Sequence, residues 1–215
     1  MSAHPGLDEL IATVAQLRAP GGCPWDADQT HESLVQYLVE ECWELIDAIE
    51  SGSRGDLIEE LGDVLYQVLF HADLAAARTD GQAFDIDDVA RHMNQKMVGR
   101  HPHVFGDREA ATADDVIAFW EDLKANEKPH RTSVLDGVPR GMPALALAQK
   151  MIGKAEKVGV APAVAAVPAT EAELGAHLLA IAHGARVAGL DAERALRHAL
   201  REFEADVRAA EVSEG

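Results

Sequence analysis

Three observations predict an all-α fold for this 215-residue chain. Only 5% of its residues are aromatic and few are β-branched, which disfavours a core built on a sheet. Nearly every segment repeats its apolar residues with helical spacing. The breaks between segments are short and rich in Gly or Pro. At this length the chain can bury a core as one large or two small domains, and its 47% hydrophobic and 26% charged content is ordinary for a globular protein.

Leu7 to Leu17 reads as a first amphipathic helix, ended by Ala19-Pro20-Gly21-Gly22. Cys23-Pro24-Trp25-Asp26 reads as a rigid loop into a second helix, roughly 31–50. On a wheel of about 100° per residue, Leu34, Leu38, Cys42, Leu45 and Ile49 cluster on one face, which Val35, Val39 and Ile46 widen. A third helix, roughly 56–77, presents Leu57, Leu61, Val64, Leu65, Val68 and Ala72, with Glu60, Gln67 and His71 along one edge. The short break Ser51-Gly52-Ser53-Arg54-Gly55 makes these two helices an antiparallel pair.

Asp85 and Asp87 open a fourth helix, roughly 86–98, which Gly99-Arg100-His101-Pro102-His103 ends. Thr112 and Asp115 have the spacing of a capping box, with Asp in place of Glu or Gln, and start a fifth helix to about residue 126. Pro143, suited to a first turn, introduces another through Lys157. The uncharged, Ala/Pro-rich stretch from Ala161 to Ala169 reads as a linker. Beyond it, Glu173-Leu174-Gly175-Ala176-His177-Leu178-Leu179 echoes Glu60-Leu61-Gly62-Asp63-Val64-Leu65-Tyr66, with Ala176 in place of Asp63. Ala195-Leu196-Arg197-His198 likewise echoes Val89-Ala90-Arg91-His92. The tail therefore reads as a partial duplicate that keeps Glu173 but has neither a counterpart of Asp63 nor an acidic pair like Glu40-Glu41, or as a chance likeness of two Ala/Leu-rich helices; on either reading no chemistry is expected there.

A formal net charge of −18 argues against a nonspecific grip on nucleic acid or an anionic membrane. No apolar run approaches the ~20 residues of a membrane span, and the N-terminus lacks a signal-peptide pattern. Two cysteines, Cys23 and Cys42, form no disulfide framework, which favours a reducing cytoplasm.

The chemistry is concentrated in two acidic clusters, Glu40-Glu41-Cys42-Trp43-Glu44 and Glu60-Leu61-Gly62-Asp63. Glu41 and Glu44, and Glu60 and Asp63, are each three apart, so each pair shares one side of its helix. Both pairs border the apolar stripe, whereas a merely solvated face lies opposite the core. Four carboxylates brought together by antiparallel helices need a cation, and an all-oxygen ligand set suits Mg²⁺ or Mn²⁺. Lys96 and Arg100, four apart, can reach one phosphate-bearing ligand. Trp120 and Lys124, also four apart, pair a stacking surface with a cation. Taken alone, such pairs are more often surface pairs or a core aromatic beside a snorkelling lysine. His101 and His103 read as a structural turn around Pro102. Cys23 has no partner arrangement for nucleophilic chemistry.

Glu-Glu-x-x-Glu, fifteen residues, then Glu-x-x-Asp resembles the signature of the all-α nucleoside triphosphate pyrophosphohydrolases, in particular their MazG branch. Gly22-Cys23-Pro24-Trp25-Asp26, Gln29-Thr30-His31-Glu32-Ser33-Leu34 and Arg100-His101-Pro102-His103-Val104-Phe105 are similar to further motifs of that branch. The resemblance spans Pro5 to about Gly159. It implies a MazG-like four-helix bundle module with additional C-terminal helices, divided as 1–159 for the catalytic module with its following helix, 160–170 for the linker and 171–215 for a truncated, degenerate second module. It implies cleavage of NTP or dNTP, noncanonical nucleotides included, to nucleoside monophosphate and pyrophosphate, in a house-cleaning role and in a homodimer or higher homo-oligomer. By resemblance Glu41, Glu44, Glu60 and Asp63 hold Mg²⁺, with Mn²⁺ as a substitute. Lys96 and Arg100 contact the polyphosphate, Trp120 and Lys124 contact the nucleotide, and Glu40, with Glu41, orients or deprotonates the attacking water. The competing readings are a pyrophosphohydrolase for dUTP or phosphoribosyl-ATP, or a non-catalytic nucleotide sensor.

Overall fold

In the computed structural model, helices account for every regular element among the described residues, which are 4–117, 119, 131–164 and 166–213. The chain divides into two units, Met1–Val116 and Ile117–Gly215.

In the first unit, α1 spans Pro5–Arg18, α2 Pro24–Ala27, α3 Val35–Ser51, α4 Arg54–Ala76, α5 Ile86–Arg100 and α6 Pro102–Phe105. Proline at the start of α1, α2 and α6 fits the position where a missing N–H costs nothing. The stretch 23–26, expected as a loop, is mostly the single-turn helix α2; four residues are too few to show a period. Residues 31–34, expected as helix, are turn. The arginine–proline junction expected to end α5 also starts α6.

Capping chemistry fixes the helix starts. Ser53 caps α4: its hydroxyl accepts from the Asp56 N–H at 3.3 Å, while the Asp56 carboxylate accepts from the Ser53 N–H at 2.6 Å. Asp85 and Asp88 do the same for α5. The expected Thr112–Asp115 box is present, with Asp115 N–H donating to Thr112 Oγ1 at 3.2 Å and Thr112 N–H to the Asp115 carboxylate at 2.8 Å. Residues 113–117 are helical; the rest of that expected helix lies outside the described residues.

Only Gly52 and Ser53 separate α3 from α4, so the two pack side by side as a tight hairpin. A Cβ on Gly52 would stand 2.6 Å from the Ala48 carbonyl oxygen and 2.7 Å from its Cα, so the turn closes only with glycine. The core of this unit gathers Val14, Leu34, Ala48, Leu69, Phe70, Ala72 and Ala75. Arg18 crosses from α1 to pair with Asp73 of α4, its guanidinium 5.4 Å from the centre of the Phe70 ring.

Several residues expected in the apolar face of the hairpin are not covered. Val35, Val39, Ile46 and Ile49 on α3, and Leu61, Leu65 and Val68 on α4, are exposed, as is Cys42. Amphipathic spacing identifies the apolar side of a helix without identifying what packs on it.

In the second unit, α7 spans Ala144–Ala155 and runs into a 3₁₀ turn at Glu156–Val158; α8 spans Glu171–Val187 and α9 Ala192–Ser213. Pro143 precedes α7 as its N-cap. The described residues of 161–169 contain no helix or strand. Leu135, Leu147, Met151, Ala155, Leu200 and Val207 form the core of this unit.

Candidate metal centre

The α3–α4 hairpin carries the acidic clusters. Glu41, Glu60 and Asp63 each offer one carboxylate oxygen, and these three atoms all lie within 4.8 Å of one another. Each residue is half-buried. Glu44 is exposed, and it stands close enough to hydrogen-bond with Glu41 and to repel Glu60. Glu40 is exposed and outside the cluster.

The electrostatics of the cluster follow from crowding. Desolvation raises the Glu41 carboxyl above its usual range, and the charges of Asp63, Glu44 and Glu60 push it further the same way. Glu60 is also raised, by desolvation first and then by Glu44 and Asp63. Glu60 Oε2 is buried and has no hydrogen-bond partner among the described residues. An anionic oxygen without a donor, beside two further carboxylates, is the arrangement a hard divalent cation resolves: it supplies the missing positive charge and takes oxygen ligands. The donor set therefore fits such an ion, without distinguishing Mg²⁺ from Mn²⁺.

The acidic stripe on α4 continues toward its C-terminal end. At about 100° per residue Glu60, Asp63, Gln67 and His71 fall on one side of the helix. Gln67 is buried and its Oε1 has no partner among the described residues. His71 Nδ1 meets His31 Nδ1 at 2.8 Å, and the two rings stack with planes 2° apart. Burial, and then His31, hold the His71 pKa below its usual value. On the neighbouring turn, Tyr66 OH donates to the buried Asp26 at 3.4 Å, and its pKa is pushed up to about 12, by burial first and then by Asp26. Asp26, Gln67 and the His31–His71 contact were not among the expected site residues. The signal for Gln67 and His71 was their register with Glu60 and Asp63.

Lys96 and Arg100 sit one turn apart on α5, both half-buried, and α5 packs on α4. Trp120 and Lys124 lie outside the described residues. His101 Nδ1 donates to the Met97 carbonyl at 2.6 Å.

A helical hairpin that clusters glutamates and an aspartate at half-buried positions defines an acidic, cation-accepting helical protein. Residues 29–105 match the MazG nucleotide pyrophosphohydrolase domain. The chain is 52% identical over 209 residues to "Uncharacterized 26.1 kDa protein in blaB 3'region" of Streptomyces cacaoi, covering 96% of this chain and 84% of that one. It is 40% identical over 215 residues to the nucleoside triphosphate pyrophosphohydrolase/pyrophosphatase MazG of Thermotoga maritima, covering 91% and 82%. It is 44% identical over 207 residues to a nucleoside triphosphate pyrophosphohydrolase of Mycobacterium tuberculosis, covering 95% of this chain but 58% of that protein. The chain belongs to the MazG nucleotide pyrophosphohydrolase family, and it is an enzyme, a hydrolase acting on acid anhydrides.

Proposed function

We propose that this chain splits nucleoside triphosphates, NTP or dNTP, into nucleoside monophosphate and pyrophosphate, using a divalent cation held by Glu41, Glu44, Glu60 and Asp63, with Mg²⁺ the first candidate and Mn²⁺ the second. The observation that carries this reading is the convergence of Glu41, Glu60 and Asp63 within 4.8 Å; the buried Glu60 oxygen supports it. When bound, the ion offsets triphosphate charge and makes the phosphorus more electrophilic.

The protein groups divide the remaining work. Water oxygen bonds to the α-phosphorus, the bond from that phosphorus to the bridging oxygen breaks, and pyrophosphate leaves. Glu40 and Glu41 orient the water and take its proton. Lys96 and Arg100 meet the charge that builds on the leaving pyrophosphate. Trp120 and Lys124 contact the nucleotide. The reaction belongs to the first module, 1–159, while 171–215 is a degenerate partial repeat joined through the linker 160–170. Ala176 stands where Asp63 stands in the first copy.

The substrate enters as a free nucleotide. Among the described residues no helix is long and apolar enough to cross a membrane. Cys23 and Cys42 are unpaired thiols, which supports a cytoplasmic location. We assign the exposed apolar side chains of α3 and α4 to the contact of a homodimer, because apolar side chains repeated along one helix side favour a partner over water.

The test is pyrophosphate release from a nucleotide panel that includes dUTP and phosphoribosyl-ATP, with Mg²⁺, Mn²⁺ or a chelator. The expected result is release with stoichiometric monophosphate, abolished by the chelator. Tight nucleotide binding with no release from any substrate would overturn the reading in favour of a sensor.

A further inference from the structure

The second unit holds a cavity of about 380 Å³ that the pyrophosphohydrolase reading does not use. Its floor is apolar, with Leu135, Val138, Leu147, Met151 and Leu200 among its lining residues. Its rim carries four arginines, Arg140, Arg197, Arg201 and Arg208, against two acids, Asp136 and Glu204. The lining is thus locally cationic in a chain of net charge −18.

The rim is held in place. Glu204 accepts from Arg140 at 2.7 Å and from Arg208 at 3.1 Å, and Arg208 also donates to Asp136 at 3.0 Å. Asp136 accepts from the Thr132 and Ser133 N–H groups at 2.9 and 3.1 Å, so the loop before α7 is tied to α9. Gly137 lines the cavity at φ +76°, and the Arg131 guanidinium occupies the space a Cβ would take. Two cations are left with capacity. Arg201 forms no ion pair among the described residues. Arg197 pairs with Glu193 at 2.9 Å, while its Nε is buried without a partner among the described residues. Arg197 and Arg201 are four apart on α9 and share one side of it.

We propose that this cavity binds a small amphiphilic anion, a carboxylate or phosphate carried on an apolar aryl or acyl body. Arg201 and Arg197 take the anionic group as a pair of hydrogen-bond donors. Leu147, Met151 and Leu200 take the body, whose burial supplies the attraction. The volume lies at the small end of the range for organic ligands, which suits a small molecule.

The full chain, labelled at its methionine methyls, is titrated with 1-naphthyl phosphate, 1-naphthoate and the uncharged 1-naphthalenemethanol, and the Met151 signal, assigned through Met151→Leu, is followed by NMR. At least one anion is expected to shift Met151 saturably, and Arg201→Glu to weaken that anion at least about tenfold while leaving the alcohol unchanged. Arg201→Lys should recover part of the loss. The stronger of the two anions identifies the headgroup. An unmoved Met151 signal with both anions would overturn the site. Equal affinity for anion and alcohol, unaffected by Arg201→Glu, would overturn the anionic class. Arg201 is exposed, so its variants are expected to retain the fold, checked by circular dichroism.

Discussion

Glu41 of α3 and Asp63 of α4 bring carboxylate oxygens within 4.8 Å across a hairpin whose turn is two residues long. Such closeness without a cation is unfavourable, because each charge raises the cost of ionising the other. Glu41→Gln and Asp63→Asn keep the shapes and remove one charge each. Both should lower the rate of pyrophosphate release by about two orders of magnitude or more, the loss seen when a key electrostatic group is removed. Near-normal turnover in both variants would count against the assigned site.

The same crowding sets a pH dependence of stability. Glu41 and Glu60 have folded-state pKa values above the ordinary 4.5, so protonation is easier in the folded chain than in the unfolded one. Their contribution to stability is full below that ordinary value and is lost as pH rises through the raised folded value. Asp56, Asp115 and Asp136, with lowered pKa values, act in the opposite direction. The difference between wild type and Glu41→Gln isolates the cluster. In chelator, the variant's melting temperature should gain on wild type between pH 4 and 7. Excess Mg²⁺ should narrow or reverse that gain, because the ion stabilises the chain that holds it better. A gap that stays constant with pH would contradict the crowding.

What was legible in the sequence is what depends on local spacing. Glu41, Glu60 and Asp63 could be placed together because three-residue spacing on two helices joined by a short break determines which sides meet. The Thr112–Asp115 cap was legible for the same reason. The helix α2 was not, since a single turn carries no period. The His31–His71 contact joins residues forty apart, and nothing local reports which pairs of distant histidines will meet. Val35, Val39 and Ile49 were read as core and are exposed. Their spacing describes an apolar side of α3, and whether chain or partner covers it is decided beyond the helix itself.

The turn itself can be tested. A methyl group at Gly52 would collide with the backbone of Ala48, which has no flexible end to move away. Gly52→Ala should destabilise the chain by about 1–3 kcal/mol, the range of backbone-strain substitutions, read as a lower midpoint in urea. Because the turn sets the register of α3 on α4, cation affinity measured by calorimetry should fall in the same variant. An unchanged midpoint would show that the hairpin tolerates a wider turn.

The exposed apolar sides of α3 and α4 give the last prediction. Val39 and Leu61 are 50% and 53% exposed in the single chain, and each repeats with neighbours on its own helix side, Val39 with Val35 and Ile46, Leu61 with Ile58 and Leu65. If two copies bury these sides, wild type should sediment as a dimer at micromolar concentration. The pair Val39→Glu and Leu61→Glu should then sediment as a monomer, since burying a carboxylate without a partner is far more costly than leaving it in water. Both positions are exposed in the single chain, so the helical circular dichroism signal should survive the substitutions. A wild-type monomer, or a double variant that still dimerises, would show that these side chains do not form the contact.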